Sequence, residues 1–296
     1  MLTYERCALC PRRCGVDRTR GERGFCGMGD TLRLARAALH YGEEPPISAS
    51  YGAGAVFFSG CTLGCRYCQN APISLGGQGE EIDTPRLRAI FERLVDEGAQ
   101  CIDLVTPTHF LPSILPALTP KLPVPVVYNC GGYERVETLR ELEGLVDVYL
   151  PDFKYGDANL ARELSGAADY PEVAAAALRE MFRQVGRPII EDGVMTRGMI
   201  VRHLVLPGRI GNSLAALDRL RRIFAPEEIL LSLMCQYTPS GPLAKTPPFD
   251  RAVTEDEYAA AQSWAELLGF TEGFWQDPIA ADPAQIPAFD GTGVHE

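Results

Sequence analysis

The sequence has no long apolar run, since no uninterrupted stretch approaches the roughly 20 residues that a membrane-spanning helix needs. Its first residues, MLTYERCALCPRRCG, also lack the basic-then-apolar order of a secretory signal peptide. Ten cysteines among 296 residues are too few for a small domain held together by disulfides. We therefore expect a soluble cytoplasmic protein with reduced thiols and no membrane partner.

Positive charge is in the minority, with 28 Lys and Arg residues against 39 Asp and Glu residues and a net charge of −11. This balance argues against a nucleic-acid partner, because polyanion binding requires basic residues at the phosphates. Arginines are nevertheless frequent in residues 6–36, which we interpret as a small, loop-rich module with a solvated surface. The alternative is that this module docks a nucleic acid.

The sequence does contain enough apolar residues, 46% of the total, for a large core. Six short apolar runs have the length of buried β-strands and are separated by stretches with helical periodicity. The clearest helix follows Thr84-Pro85, which we interpret as an N-cap with proline in the first turn, and ends before Gly98. The strand-like runs are residues 55–58, 101–105, 124–128, 146–150, 200–206 and 229–234. This alternation predicts an α/β fold with a parallel sheet.

A cysteine-rich loop follows the first of these runs and has the spacing of a metal-cluster ligand set. Residues 57–70 read FFSGCTLGCRYCQN, which places Cys61, Cys65 and Cys68 in a C-x3-C-x2-C pattern. A four-iron cluster normally takes four cysteines, so three cysteines leave one iron free to bind a small molecule. The alternatives are a zinc knuckle completed by a distant ligand, or a few buried thiols.

The loop CTLGCRYC resembles the C-x3-C-x-aromatic-C signature of the radical S-adenosylmethionine (SAM) enzymes, with Tyr67 as the aromatic residue. More narrowly, the chain is similar, from about residue 5 to residue 275, to the pyruvate formate-lyase activating enzyme-like branch. That branch includes uncharacterised iron–sulfur proteins homologous to the activating enzymes. The resemblance implies a partial (β/α)6 TIM-type barrel and a [4Fe-4S] cluster on Cys61, Cys65 and Cys68, whose open iron chelates SAM.

The resemblance also implies the chemistry of an oxidoreductase. In that family the reduced cluster cleaves SAM to methionine and a 5′-deoxyadenosyl radical, which then takes a hydrogen atom from a substrate. The protein holds the substrate carbon near the adenosyl group and excludes water. An electron donor of the flavodoxin or ferredoxin type is therefore an expected partner.

Polar residues at the ends of the predicted strands are the implied SAM contacts, because ligands of such barrels bind at the carboxyl ends of the strands. Asp152 and Lys154 are two residues apart on an extended segment, so both side chains face the same side. For Arg202 the competing interpretation is a structural ion pair with Asp152 or Glu191. The full set of implied cofactor-binding residues is Tyr67, Thr106, Thr108, Asn129, Asp152, Lys154 and Arg202.

Three further residues near the strand ends are also candidates. His109 follows Thr106-Pro107-Thr108, where the family often has a Gly-Gly-Glu segment, and is either a donor near SAM or a structural histidine. Gln236 and Tyr237 follow the sixth run and could contact adenine or substrate.

A second group of cysteines lies at the N-terminus, with the spacing Cys7-x2-Cys10-x3-Cys14-x11-Cys26. Glycines and a proline between these cysteines suit a loop wrapped around a metal, because so short a segment has little else to fold it. Four thiolates can close a structural zinc site or hold a second [4Fe-4S] cluster. The sequence leaves both metals open.

The predicted organisation has three parts. Residues 1–45 form the cysteine-rich metal-binding module, residues 46–275 form the barrel, and residues 276–296 form an extended or mobile tail rich in Pro, Ala, Asp and Gly.

Three functions follow as hypotheses. The first is a radical SAM enzyme that abstracts hydrogen from a protein or peptide, such as a glycine Cα of a glycyl radical enzyme. The second is a radical SAM enzyme that modifies a small molecule or an RNA nucleoside. The third is an iron–sulfur or zinc protein without turnover, which acts as an electron carrier or scaffold, although such a carrier would not need Asp152, Lys154 and Arg202.

Overall fold

The parallel sheet predicted from the sequence is present. A computed structural model describes residues 2–276 and 287–295 of the chain. Six strands, β2, β4, β5, β6, β8 and β9, pair in parallel and in chain order around the sheet. The strands of the described residues are β1 Leu32–His40, β2 Ala53–Phe58, β3 Glu80–Ile82, β4 Ile102–Val105, β5 Val126–Cys130, β6 Val148–Pro151, β7 Ile189–Glu191, β8 Val194–Leu204, β9 Leu230–Met234 and β10 Gly273–Trp275.

Helices connect the parallel strands, as in a partial (β/α)6 barrel, and this confirms the expected fold class. The helices of the described residues are α1 Pro45–Ser48, α2 Ala71–Ser74, α3 Thr84–Asp96, α4 Leu111–Ala117, α5 Val136–Arg140, α6 Ala158–Ser165, α7 Tyr170–Val185, α8 Ile210–Ile223 and α9 Glu255–Leu267. Among the described residues, no helix combines the length and the apolar character needed to cross a membrane.

Strands β1, β3, β7 and β10 were not expected from the apolar pattern. β1 is antiparallel to β2 and β3 is antiparallel to β1, while β10 extends the other edge beside β9. β3, β7 and β10 have three residues each, and β1 is interrupted by arginines, so none of them contains a continuous apolar run. β8 also begins six residues earlier than its predicted run, at Val194.

Helix α3 shows how local sequence sets an element of the barrel. Its N-cap is Asp83, whose carboxylate accepts a hydrogen bond from the backbone N–H of Arg86 at 2.8 Å. The sequence interpretation of Thr84 as the N-cap was therefore wrong by one residue, because the carboxylate before it takes the capping role. Leu87, Ile90 and Phe91 lie on the buried face of the helix, as their helical spacing predicts.

The strand portion of residues 1–45 is part of the barrel sheet, because β1 pairs with β2 along most of its length. Residues 2–31, by contrast, have almost no regular secondary structure, and side chains such as Arg18 attach them to the barrel. The guanidinium of Arg18 is buried and donates to the carbonyl oxygens of Gly29 and His109. Residues 2–31 are thereby anchored to the segment that follows β4.

The described end of the predicted C-terminal tail packs against β1. The backbone of Ala37 donates to the carbonyl of Thr292 at 2.9 Å, and that of Gly291 donates to Ala35 at 3.0 Å. The side chain of Val294 is fully buried. Residues 287–295 are therefore folded onto the sheet, while the rest of the predicted tail, residues 277–286 and 296, lies outside the described residues.

Gly132 provides a test of the close packing at the ends of β5 and β6. Its φ is +74°, and an added Cβ would overlap the carbonyl oxygen of Asp152. Gly144 has a similar φ of +82° with nothing within 4 Å of an added Cβ, so it isolates the backbone effect. We expect Gly144→Ala to lower the free energy of unfolding by about 1–2 kcal/mol. Gly132→Ala should cost a further 1–3 kcal/mol or so for the overlap.

Urea denaturation of the two variants and the wild type measures both costs. Equal losses of stability in Gly132→Ala and Gly144→Ala would contradict the packing described here.

Candidate active site

One cavity lies at the carboxyl ends of the parallel strands and has an empty volume, including its open mouth, of about 1530 Å³. It lies where ligands of such barrels bind, because each strand delivers its following loop to this face. Nine of the ten residues assigned from the sequence to the SAM cluster and to SAM line it: Cys61, Cys65, Tyr67, Cys68, Thr106, Asn129, Asp152, Lys154 and Arg202.

Each of the three cysteine sulfurs in this cavity accepts a hydrogen bond from a neighbouring polar group. The backbone N–H of Leu63 donates to Cys61 Sγ at 3.4 Å. The hydroxyl of Ser165 donates to Cys65 Sγ at 3.1 Å, and Ser74 donates to Cys68 Sγ at 3.3 Å. Such donors favour the thiolate form of cysteine, which is the form that binds metals.

Burial has the opposite effect on Cys61 and Cys68. It raises the pKa of the Cys61 thiol to about 12, and burial together with the charge of Cys65 raises the pKa of Cys68. A positively charged group nearby would therefore favour the thiolate forms of Cys61 and Cys68. An iron–sulfur cluster supplies that charge, so the donor set fits a cluster held by three cysteines.

The described residues contain no group of three or more His, Cys, Asp or Glu side chains already arranged as a metal-binding set. This holds for the loop of Cys61, Cys65 and Cys68 and also for the N-terminal cysteines. Cys7 and Cys10 are buried, Cys26 is partly buried and Cys14 is exposed. Their assignment to iron or zinc stays a prediction.

Residues 2–31 hold the cysteine loop in place through the guanidinium of Arg12. It donates to the carbonyl oxygens of Thr62 and Leu63 at 3.1 Å each, within the loop itself. It also donates to the carbonyls of Ser165 and Gly166 at 2.6 Å, at the end of α6. Arg12 lies between Cys10 and Cys14 in the sequence, so one side chain joins the two cysteine groups.

Gly60 makes a second contact between the two parts. Its φ is +81°, and an added Cβ would lie 2.8 Å from the carbonyl oxygen of Cys26. Only glycine fits here, because the N-terminal segment lies directly against the start of the cysteine loop.

Arg202 is at the centre of a charged network inside the barrel. Its Nε donates to Asp152 Oδ1 and its Nη1 donates to Glu43 Oε2, both at 3.1 Å. Its Nη2 donates to the side-chain oxygen of Asn129. Lys154 Nζ donates to the second oxygen of Asp152 at 2.6 Å. One arginine therefore connects strand β8 to the ends of β5 and β6 and to the segment before α1.

Asp152 and Glu191 are the two ion-pair partners expected for Arg202 from the sequence, and the structure distinguishes between them. Asp152 pairs with it, as one alternative proposed, whereas Glu191 lies exposed on the short strand β7. Glu43 was missed, and so was Asp103, which is fully buried and accepts from Asn129 Nδ2 at 3.2 Å. An aspartate inside the apolar run IDLV was the available signal for Asp103, since a buried charge needs a partner.

The carboxyl groups of this network titrate in different directions. Burial would raise the pKa of Asp152, but Lys154 and Arg202 together lower it below its ordinary value. Burial raises the pKa of Glu43 and, to a greater extent, that of Asp103, which also faces the charge of Glu43. The interior therefore holds more carboxyl groups than its cations neutralise.

Aromatic rings pack around Tyr67 at the cysteine loop. Its ring is parallel to that of Phe249, with centroids 6.3 Å apart, and lies edge-on to Tyr155 at 6.4 Å. Tyr237, a candidate from the sequence, contacts Tyr67 at 6.4 Å between centroids. These buried rings exclude water from one side of the cavity.

Two candidates point away from the cavity. The hydroxyl of Thr108 donates to the buried carboxyl group of Glu134 at 2.7 Å, and Thr108 is not among the residues that line the cavity. The ring of His109 lies 2.7 Å from the carbonyl of Ser59, and burial lowers its pKa to about 3. The structural interpretation of His109 therefore applies, because a neutral buried histidine supports the segment just before Gly60.

No protein-family model matches the sequence. The chain is 29% identical over 274 residues to an uncharacterised protein of Methanocaldococcus jannaschii, in an alignment that covers 89% of this chain and 75% of the relative.

Solved structures similar to this chain include two of SuiB from Streptococcus suis. The one bound to S-adenosylmethionine has a TM-score of 0.48 at 12% identity, and the match covers 76% of this chain and 50% of the SuiB chain. The one bound to the precursor peptide SuiA has a TM-score of 0.46 at 12% identity, and the match covers 71% of this chain and 43% of the SuiB chain. Methylornithine synthase (PylB) has a TM-score of 0.48 at 14% identity, and the match covers 70% of this chain and 59% of the PylB chain. The chain thus spans about half the length of these solved proteins.

Replacing Arg202 tests the charged network. Arg202→Met should lower the free energy of unfolding at pH 8 by about 3–5 kcal/mol, because it leaves Glu43 buried without its cation and Asp152 with Lys154 alone. The loss should be smaller at pH 5. Without the cation the folded-state pKa values of these carboxyl groups rise, and protonation then removes the unpaired charges.

Thermal or urea unfolding at the two pH values measures this difference. Arg33→Met is the control, because Arg33 pairs with Glu81 at the surface, where an ion pair contributes about 0–1 kcal/mol. A destabilisation of Arg202→Met that is independent of pH would contradict the assigned role.

Proposed function

We propose that this protein is a radical SAM enzyme that reductively cleaves S-adenosylmethionine and abstracts a hydrogen atom from a bound substrate. The observation that supports this proposal is the convergence of a three-cysteine loop and a lysine–arginine pair on one cavity. An electron carrier has no need for buried cations beside its cysteines. A binding pocket for a small anionic or zwitterionic molecule does need them.

The cysteine loop would hold a [4Fe-4S] cluster through Cys61, Cys65 and Cys68. When bound, such a cluster supplies the electron that splits SAM into methionine and a 5′-deoxyadenosyl radical, and its fourth iron is open to SAM. The hydroxyl of Ser165 and the other donors stabilise the sulfurs as thiolates.

The charged residues would position SAM rather than react with it. Lys154 lies beside the cysteines and uses one N–H of its ammonium group on Asp152, so the other two could donate to the methionyl carboxylate. Asn129 presents its amide at the end of β5, where it would bind a hydroxyl of the ribose. Arg202 holds both Asp152 and Asn129 in place and so acts as a positioning residue.

We further propose that the substrate is a protein or peptide, including a glycine Cα of a partner enzyme. The main cavity opens to solvent and is large enough for an extended loop to reach the cysteines. The electron donor would be a flavodoxin- or ferredoxin-like protein, and the N-terminal cysteines would hold a second [4Fe-4S] cluster or a zinc ion.

Cleavage of SAM is the first test of this function. The full chain, reconstituted anaerobically with iron and sulfide, should release 5′-deoxyadenosine when dithionite and SAM are added. Cys65→Ala should abolish this release, because two thiolates cannot hold the cluster in its reactive form. Mass spectrometry quantifies the nucleoside.

Cys101→Ala is the matched control, because Cys101 is a buried thiol in the core under α1, away from the cavity. It should cleave SAM like the wild type. Release of 5′-deoxyadenosine from Cys65→Ala at the wild-type rate would refute the assignment.

The proposed role of Lys154 has a separate test by SAM binding. Lys154→Met should weaken binding to the reconstituted protein about tenfold or more, because it removes a charge-assisted hydrogen bond worth about 1.5–3 kcal/mol. Lys154→Arg should retain most of the affinity, since it keeps the charge. Equilibrium dialysis with labelled SAM measures all three proteins, and unchanged affinity in Lys154→Met would exclude this contact.

A further inference from the structure

A recess adjoins the main cavity and differs from it in chemistry. It is enclosed by the segment before α1, by β8 and β9, and by β10 with the residue after it. The two spaces share five lining residues, among them Glu43, Arg202 and Gln236. A molecule bound in the recess would therefore reach into the cavity that holds the cysteines.

Glu44 is a carboxylate of this recess that forms no ion pair with any of the described residues. The residue is only 8% exposed, and its Oε2 atom is buried without a hydrogen-bond partner among the described residues. Its neighbour Glu43 is paired with Arg202 instead. Ser232 forms a hydrogen bond with the carboxyl group of Glu44, so Oε2 is the oxygen left without a partner. A buried carboxylate oxygen without a hydrogen bond costs free energy, and it is an acceptor available to a ligand.

The cations nearby are already committed to other groups. Arg202 binds Asp152 and Glu43, and Lys154 binds Asp152. In this part of the barrel, four carboxyl groups, Glu43, Glu44, Asp103 and Asp152, face these two cations. Burial, together with the charge of Glu43, raises the pKa of Glu44 in spite of Arg202. These carboxyl groups outnumber the two cations, so a cationic ligand beside Glu44 would be stabilised electrostatically.

The walls of the recess suit an alkyl chain. Pro45, Met234, Phe274 and Trp275 line it and provide apolar surface beside the carboxylate. A charged group on a flexible apolar stem matches both features, because the stem packs on the walls while the charge meets Glu44.

We propose that this recess binds the cationic end of the substrate, an ammonium or guanidinium group on an alkyl stem, and that Glu44 is its counter-ion. The proposal rests on the proposed function, and it makes the recess the part of the site that selects the substrate. A lysine or arginine side chain of a peptide and a free alkylamine share this chemistry.

Isothermal titration calorimetry on the full chain, reconstituted anaerobically, tests the proposal with three probes. Nα-acetyl-lysine N-methylamide has the cation and the stem, and the corresponding norleucine amide has the stem alone. Butylammonium has the charged stem without a peptide backbone. The lysine probe should bind at least tenfold more tightly than the norleucine probe, and Glu44→Gln should remove that difference.

Three controls keep the test decisive. Glu44→Asp keeps the charge and should retain part of the preference for lysine, which separates a binding role from a folding defect. Glu92→Gln removes one negative charge from the exposed face of α3 and should bind all probes like the wild type. Circular dichroism verifies that each variant is folded.

The outcomes are distinct. Tighter binding of the lysine probe than of butylammonium assigns the cation to a peptide, and equal binding assigns it to a free amine. Equal affinity for the lysine and norleucine probes, or unchanged lysine binding in Glu44→Gln, would overturn the proposal. Because probe binding needs neither SAM nor turnover, its failure is distinguishable from a failure to form 5′-deoxyadenosine.

Discussion

The pairing of Arg202 is the interaction on which the rest of the site depends. A guanidinium buried inside a barrel stays protonated, so its charge must be compensated by hydrogen-bond acceptors in the surrounding protein. Asp152, Glu43 and Asn129 supply them from three different segments. These segments are thereby fixed relative to one another at the face where the barrel opens.

The same network leaves the interior short of positive charge. Arg202 and Lys154 cannot neutralise all of the carboxyl groups that surround them, and Glu44 Oε2 has no hydrogen-bond partner among the described residues. An interior of this kind is stabilised by cationic ligands. The sulfonium and ammonium groups of SAM are cationic, and so is the substrate group proposed for the recess. The electrostatics of the two proposed ligands are thus complementary to the same excess of carboxylate.

The cysteine loop depends on a different constraint. It is short and contains two glycines, so contacts from another part of the chain hold it in position. Arg12 binds its carbonyl oxygens, and the N-terminal segment packs against Gly60. The N-terminal segment is therefore part of the support of the proposed active site. Any change in the folding of residues 2–31, including one caused by metal at Cys7 to Cys26, would act directly on the loop.

The sequence by itself determined the six parallel strands and the cysteine loop, because apolar runs and cysteine spacing are local patterns that survive without tertiary context. The resemblance to a known family also implied roles for Asp152, Lys154 and Arg202, because their short motifs can be read from the sequence alone. Only the tertiary structure decided that Thr108 turns away and that Glu44 turns inward. Both outcomes depend on which segments, distant in the chain, meet around each side chain, and no local pattern contains that information.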